Sequence, residues 1–266
     1  MLYKISVVKS RGSHLCDDAL VTSTERSARR RTPRQRARAE ADAEIKRIAR
    51  RQLADGGAGA LSLREIAKEM GLVSSAVYRY VASRDALLTG LIADAYNRLG
   101  QAAEAADAPL DRDDTAGRWR AAACALRDWA LAQPTDHTLV FGPPVPGYVA
   151  PPETYAPGQR WVDILIDIGE RAARRAGAPD PPAVPPTSGL HADLQALRLR
   201  RSPDTPIASL AAGLRAWAQL HGLVALEIHG QTAFVLDGGA PEFFRHCVEQ
   251  QVLELGLRSP DYPDPA

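Results

Sequence analysis

The stretch from Ser62 to Val81, SLREIAKEMGLVSSAVYRYV, constrains the fold most, because it reads as two short helices joined by a tight turn. Leu63, Ile66, Ala67 and Met70 recur at i, i+3, i+4 and i+7, which lines them on one face of a helix. Gly71 ends that helix, since the residue after a helix C-terminus commonly takes the left-handed conformation that glycine adopts without a Cβ penalty. The turn runs from Gly71 to Val73, and Ser74 and Ser75 are suited to cap the second helix by accepting from its unpaired N–H groups. Val77 and Val81 then point inward at i, i+4 spacing, while Tyr78, Arg79 and Tyr80 line the outer side. That outer side carries hydroxyls for phosphates or base edges, an arginine for guanine and rings with polar tips, which suits a helix that reads duplex DNA.

Helix, glycine turn and second helix make a helix-turn-helix. The run continues as Val81-Ala82-Ser83-Arg84-Asp85-Ala86-Leu87-Leu88. From Arg64-Glu65-Ile66-Ala67 through Leu88 it resembles the signature of the TetR (tetracycline repressor) family of bacterial transcriptional regulators, and the likeness extends over residues 39–99. Two positions differ from the family's usual pattern. Val73 stands where a serine or threonine commonly opens the recognition helix, leaving Ser74 or Ser75 as substitute cap, and Val81 stands where phenylalanine is common. With this resemblance the expected DNA-contacting set is Ser62, Arg64, Ser74, Ser75, Ala76, Tyr78, Arg79, Tyr80 and Arg84, the last at the position from which a lysine usually meets phosphate.

Charge supports a polyanionic partner once it is divided along the chain. The net charge is only +1, yet Arg26 to Arg84 holds fifteen Lys or Arg against six Asp or Glu, leaving the remainder acidic. Arg26, Arg29, Arg30, Arg31, Arg34, Arg36 and Arg38 crowd around Pro33 and read as a basic arm for phosphates or a minor groove. With 266 residues and 45% hydrophobic content there is material for two modest domains with cores. No apolar run is long enough to span a membrane, and Lys4, Lys9 and Arg11 break the N-terminal segment before a signal-peptide core forms, so a cytoplasmic protein is expected. Cys16, Cys124 and Cys247 are odd in number and far apart, and are read as free thiols.

The expected organisation is all-α. Residues 1–32 are read as disordered with the basic arm at their end, 33–99 as a three-helix helix-turn-helix DNA-binding domain, 110–258 as a larger helical effector-binding and dimerisation domain, and 259–266 as a disordered tail. A first helix starts near Pro33, buries Ile45, Ile48, Ala49 and Leu53, and stops at Asp55-Gly56-Gly57. The following Gly57-Ala58-Gly59 approaches a dinucleotide-loop fingerprint, but Ser62 replaces its third glycine and a helix, not a strand, precedes it. A long helix is expected from Ser83 to Ala106, and another from Thr115 to Gln133, stopped by Pro134. Six prolines between Phe141 and Gly158 predict a long loop, read either as a lid or as a connector. Further helices are expected over Trp161–Arg175, Leu190–Arg200, Pro206–Phe234 and Pro241–Leu257, with a proline-rich break from Ala178 to Pro186. The run Trp217-Ala218-Gln219-Leu220-His221-Gly222-Leu223, followed by Leu226-Glu227 and Gly230, resembles the C-terminal domain of a TetR subfamily marked by a Trp, His and Gly pattern. In the family such a closing helix pair meets its symmetry mate, which implies a homodimer.

Trp119, Phe141, Trp161, Trp217 and His221 are the candidate residues for a small, largely apolar effector. The same aromatic spacing also suits plain core, and His221 also suits a satisfied core histidine. No cofactor and no metal are expected. His221 and His229 lie about 12 Å apart along a helix, too far for one ion. The sequence lacks a GxSxG, HExxH, Walker A or CxxC motif, so catalysis is not the expected role. Two readings remain: a ligand-responsive repressor binding a palindromic operator as a dimer, and a DNA-binding regulator or architectural protein without a small-molecule effector.

Overall fold

The computed structural model describes residues 32–174 and 184–259. The expectations for residues 1–31, including Arg26, Arg29, Arg30 and Arg31 of the arm, lie outside the described residues. So do those for 175–183 and for 260–266 of the tail. Among the described residues there are ten α-helices, short 3₁₀ turns and no strand. The chain divides into two compact units, one reaching Leu87 and the other beginning at Leu88.

In the first unit α1 spans Pro33–Gly56. Thr32 caps it reciprocally with Gln35: the Thr32 hydroxyl accepts from Gln35 N–H and the Gln35 side chain accepts from Thr32 N–H. Pro33 sits at the first helical position, where its missing N–H leaves no bond unmade. Arg34, Arg36 and Arg38 therefore lie in the helix expected to start near Pro33. Helix α2 is Leu63–Glu69 and α3 is Ser74–Val77. The apolar stripe expected for α1 is the one buried, and it is joined in the unit's core by Leu63, Ile66, Ala67, Val77, Val81 and Leu87. Arg51 and Arg47 both reach Glu69, so α1 and α2 are also tied by charge.

Helix α4, Arg84–Asp107, carries the chain into the second unit. There α5 (Thr115–Ala132), α6 (Pro134–Phe141), α7 (Tyr155–Ala173), α8 (Gly189–Arg201), α9 (Ile207–Ile228) and α10 (Ala240–Glu254) follow. Helix α5 is the central one. Its Trp119, Ala122, Ala123, Leu126 and Ala130 are buried with Trp161, Leu165 and Ile168 of α7, Leu220 and Val224 of α9, and Phe244 and Val248 of α10. The small alanines let neighbouring helices approach closely on several sides.

Three boundaries differ from expectation. Pro134 ends α5 but also opens α6, and Pro157 lies within the first turn of α7, which starts at Tyr155 rather than Trp161. The first N–H groups of a helix have no intrahelical partner, so a proline there removes nothing. The expected loop from Phe141 to Gly158 shrinks to residues 142–151, followed by a 3₁₀ turn at Pro152–Thr154. Helix α9 stops at Ile228 rather than Phe234, because Gly230 turns left-handed at φ 68° and starts a separate 3₁₀ turn.

One buried cation joins three helices of the second unit. Arg118 of α5, 1% exposed, donates from Nε to Asp107 of α4 at 2.7 Å and pairs through Nη2 with Asp167 of α7 at 2.8 Å. Burial alone would raise both carboxyl pKa values, yet the hydrogen bonds from Arg118, with Arg112 at Asp107 and Arg171 at Asp167, hold them below the usual range. Replacing Arg118 with Met should lower stability by about 3 kcal/mol, toward the smaller end for a broken buried pair because Arg112 still reaches Asp107. Urea denaturation checks this, and a loss well under about 1 kcal/mol would mark the pair as no stronger than a surface one.

Candidate nucleic-acid interface and ligand chamber

The helix-turn-helix is fixed by local chemistry. Ser62 accepts from Glu65 N–H at 3.3 Å to cap α2, while its own N–H donates to the Gln52 side chain at 2.9 Å. At the other end Gly71 takes φ 68°, and two bonds close the turn: Leu72 N–H to Ala67 O at 2.8 Å and Gly71 N–H to Lys68 O at 3.1 Å. This is a complete Schellman motif, which needs the glycine. Beyond it the cap expected at Ser74 or Ser75 does not form. Val73 holds the N-cap position without a side-chain bond, and both serines lie inside the first turn with their hydroxyls exposed.

The expected contact set separates into three groups. Ser74, Ser75, Tyr78 and Arg79 are exposed on α3 and the turn after it, with Arg64 exposed on α2 and Tyr80 half-buried. Among the described residues no ion pair holds Arg64 or Arg79. Ala76 is 7% exposed and packs inward with Val77, so it belongs to the core. Arg84 is turned onto the protein: its Nη2 donates to Ala58 O at 2.6 Å, fixing the 3₁₀ turn before α2. Ser62 likewise serves as a cap. Val73 is 72% exposed and borders an open groove with Arg64, Glu65, Lys68 and Ser74.

In the second unit, four of the five expected effector residues come together. Around the His221 ring lie Phe141 at 4.2 Å, Trp217 at 4.7 Å and Trp161 at 5.3 Å between centroids. His137 of α6 and Trp129 of α5 complete the group, both contacting Phe141. Trp119 stands apart as core: its indole N–H donates to Gln251 at 3.0 Å, and Gln251 in turn donates to Ala216 O and Gln219. His221 is not the satisfied core histidine that one reading expected. Both of its ring nitrogens, both nitrogens of His137 and the Trp129 indole N–H are buried without a hydrogen-bond partner. Buried polar atoms are almost always paired, so five unpaired atoms around one set of rings set this cluster apart from the core around Trp119. Burial pushes both imidazoles down to about 4, with His229 adding repulsion at His137 and His137 adding it at His221, so both rings are neutral near pH 7.

Comparison with known proteins agrees with both units. The sequence profile described as "Bacterial regulatory proteins, tetR family" matches residues 46–91, and that described as "Tetracyclin repressor-like, C-terminal domain" matches 119–250. The chain is 39% identical over 211 residues to the HTH-type transcriptional regulators Mb1846 of Mycobacterium bovis and Rv1816 of Mycobacterium tuberculosis, covering 74% of this chain and 85% of theirs. A solved regulatory protein, SCO4313, shares 35% identity over 83% of this chain and 99% of its own, with a TM-score of 0.65. A solved protein of unknown function from Rhodococcus sp. RHA1 shares the fold, with 24% identity over 82% of this chain and 95% of its own and a TM-score of 0.58.

The neutral histidines make stability depend on pH in a defined direction. Unfolded, each titrates near 6.5, so between about 6.5 and 4 the unfolded chain holds more protons than the folded one. Stability should therefore fall as pH drops through that window, at up to about 1.4 kcal/mol per pH unit for each ring. Urea midpoints measured from about pH 7.5 to 5.5 should show the decline, with roughly half the slope in His137→Phe. A flat profile would mean that water reaches both rings.

Proposed function

The chain belongs to the TetR family, whose members are DNA-binding regulators of transcription rather than enzymes, and from this we propose that it is a ligand-responsive repressor acting on a palindromic operator as a homodimer. Residues 33–99 hold DNA and 110–258 bind the effector and dimerise. The observation that carries the ligand response is the group of buried, unpartnered nitrogens of His137, His221 and Trp129 among apolar rings. A small, largely apolar molecule bound within this cluster of Phe141, Trp161 and Trp217 supplies hydrogen bonds that these nitrogens lack. The Trp217, His221 and Gly222 pattern, which resembles that of a Trp, His and Gly type of C-terminal domain, supports this reading. Effector binding shifts α4 and lowers operator affinity; by linkage, operator lowers effector affinity by the same factor.

On the DNA side, Tyr78, Arg79, Ser74 and Ser75 contact the operator, with Arg64 and the arginines from Arg29 to Arg38 adding phosphate contacts. The exposure of Ser74, Ser75, Tyr78, Arg79 and Arg64, and of Arg34, Arg36 and Arg38 within the arm, supports this. Ser62 and Arg84 act mainly by holding the recognition segment in place, because their polar groups already bond within the unit. A two-fold dimer places two recognition helices in successive major grooves about 34 Å apart, or a multiple of that, and so requires a palindromic site. Exposed Leu214 and Leu226 on α9, and Phe243 and Leu253 on α10, support a self-association surface on the closing helix pair. The protein works in the cytoplasm, where its operator lies; among the described residues no helix is long and apolar enough to cross a membrane.

Two measurements test this reading. Operator binding should weaken with salt, and removing one phosphate-contacting arginine should reduce the slope of log K against log salt by about 0.9, whereas Tyr78→Ala should reduce specific binding far more than nonspecific binding. Cognate binding unchanged in a Tyr78→Ala, Arg79→Ala double variant would refute the assigned interface. Sedimentation should show a dimer at micromolar protein, which Leu253→Glu should shift toward monomer; a monomeric parent would refute the palindromic model of operator binding.

A further inference from the structure

The ring cluster that would serve as the effector chamber has a side chain of the protein itself, Phe141, at its centre. The Phe141 ring contacts four other rings from four helices: Tyr96 of α4 at 5.9 Å, Trp129 of α5 at 6.4 Å, His137 of α6 at 5.3 Å and His221 of α9 at 4.2 Å. Two of these contacts are edge-to-face and two are tilted, a surrounding that suits a six-membered ring. A phenyl ring has no polar atom, however, and the two imidazoles that flank it are left with all four nitrogens unpaired. Phe141 is also the last residue of the eight-residue α6, and the next regular element begins only at Pro152, so its ring can leave without unwinding a long helix.

We propose that Phe141 is an internal plug and that the chamber takes an uncharged, single-ring hydroxyl compound of the phenol class, whose ring replaces that of Phe141 and whose hydroxyl bonds to His137 and His221. This rests on the reading that the chamber binds an effector, and goes beyond it in naming the ligand's chemistry. Each neutral imidazole offers one N–H donor and one acceptor nitrogen, and a hydroxyl offers one donor and two acceptor lone pairs. One hydroxyl can thus donate to one imidazole and accept from the other, leaving its second lone pair for the Trp129 indole N–H. Charged ligands fit less well. Asp136, buried beside His137, is already ion-paired with Arg98, so it offers no net charge to an ammonium group. A carboxylate would call for a protonated imidazole, which a pKa of about 4 disfavours roughly a thousandfold at pH 7. A hydroxyl bound in this way leaves both rings neutral.

The test uses the full chain, 15N-labelled at histidine, with four probes of one shape near pH 7.5: 4-ethylphenol, ethylbenzene, 4-ethylbenzoate and 4-ethylbenzylamine. Calorimetry should rank 4-ethylphenol about tenfold or more tighter than each of the others, and its addition should move the imidazole nitrogen resonances of His137 and His221. The Phe141→Ala variant, lacking the competing ring, should bind 4-ethylphenol about tenfold more tightly than the parent. Tightest binding of the benzoate or the benzylamine, with the same resonances moving, overturns the ligand class while leaving the chamber as an effector site. Equal affinity for ethylbenzene and 4-ethylphenol removes the role of the hydroxyl, and unchanged or weaker binding in Phe141→Ala removes the plug. Imidazole resonances that respond to none of the four probes overturn the effector reading itself. The probe series on the unaltered protein needs no substitution, so a variant that fails to fold does not blunt it.

Discussion

The second unit is organised by the guanidinium of Arg118. A cation this deeply buried is tolerated only because two carboxylates meet it, and those carboxylates arrive on different helices. Asp107 fixes the end of α4 and Asp167 fixes the middle of α7, so the charge sets how both lie against α5. Apolar packing alone would leave helices free to slide by small amounts, since Leu and Ala contacts have little direction. A forked hydrogen-bond donor has direction. Near the opposite end of α5, Arg127 makes a comparable bidentate pair with Glu227 of α9, at 2.8 and 2.5 Å, and lies 5.6 Å over the Phe244 ring of α10. Helix α5 is thus fixed by charge at both ends and by small residues between.

The two ends of one helix bundle treat buried polar atoms in opposite ways. Around Trp119 every group finds a partner: the indole donates to Gln251, whose amide donates to Ala216 O and to Gln219. About three turns further along α5, the Trp129 indole faces histidines and finds none. The first arrangement gives a rigid, specified core. The second retains a standing free-energy deficit in the folded protein, of the kind that persists where a partner is supplied from outside. Within one bundle the contrast separates the two ends more clearly than aromatic content does, since both are rich in rings.

This contrast explains what was legible in the sequence. The helix-turn-helix was readable because its determinants lie within a few residues of one another: the apolar i, i+3, i+4 pattern, Gly71, and the paired Val77 and Val81. The gathering of Phe141, Trp161, Trp217 and His221 was readable as a group of candidates, but whether Trp119 belonged with them depended on which way each indole faces across a bundle, and no local pattern encodes that. His137 was passed over because it lies in a segment that a proline seemed to interrupt. The prolines misled for a physical reason. A residue that forbids a helix interior is welcome in a first turn, and sequence alone does not say which of the two a given position will be. The cap at α3 failed in the same way, since Ser74 and Ser75 have the right chemistry but sit one and two residues too late.

The distribution of indoles has an optical consequence. The chain has four tryptophans, at 119, 129, 161 and 217, all in the second unit. Three of them belong to the ring cluster around Phe141 and His221. Ultraviolet emission excited at the red edge of the protein band therefore arises wholly from the second unit and mostly from the chamber, while the recognition segment, with only Tyr78 and Tyr80, is nearly dark. Any change in the surroundings of the ring cluster can therefore be followed by intrinsic emission while DNA is followed by a dye on the oligonucleotide, in a single cuvette and without labelling the protein.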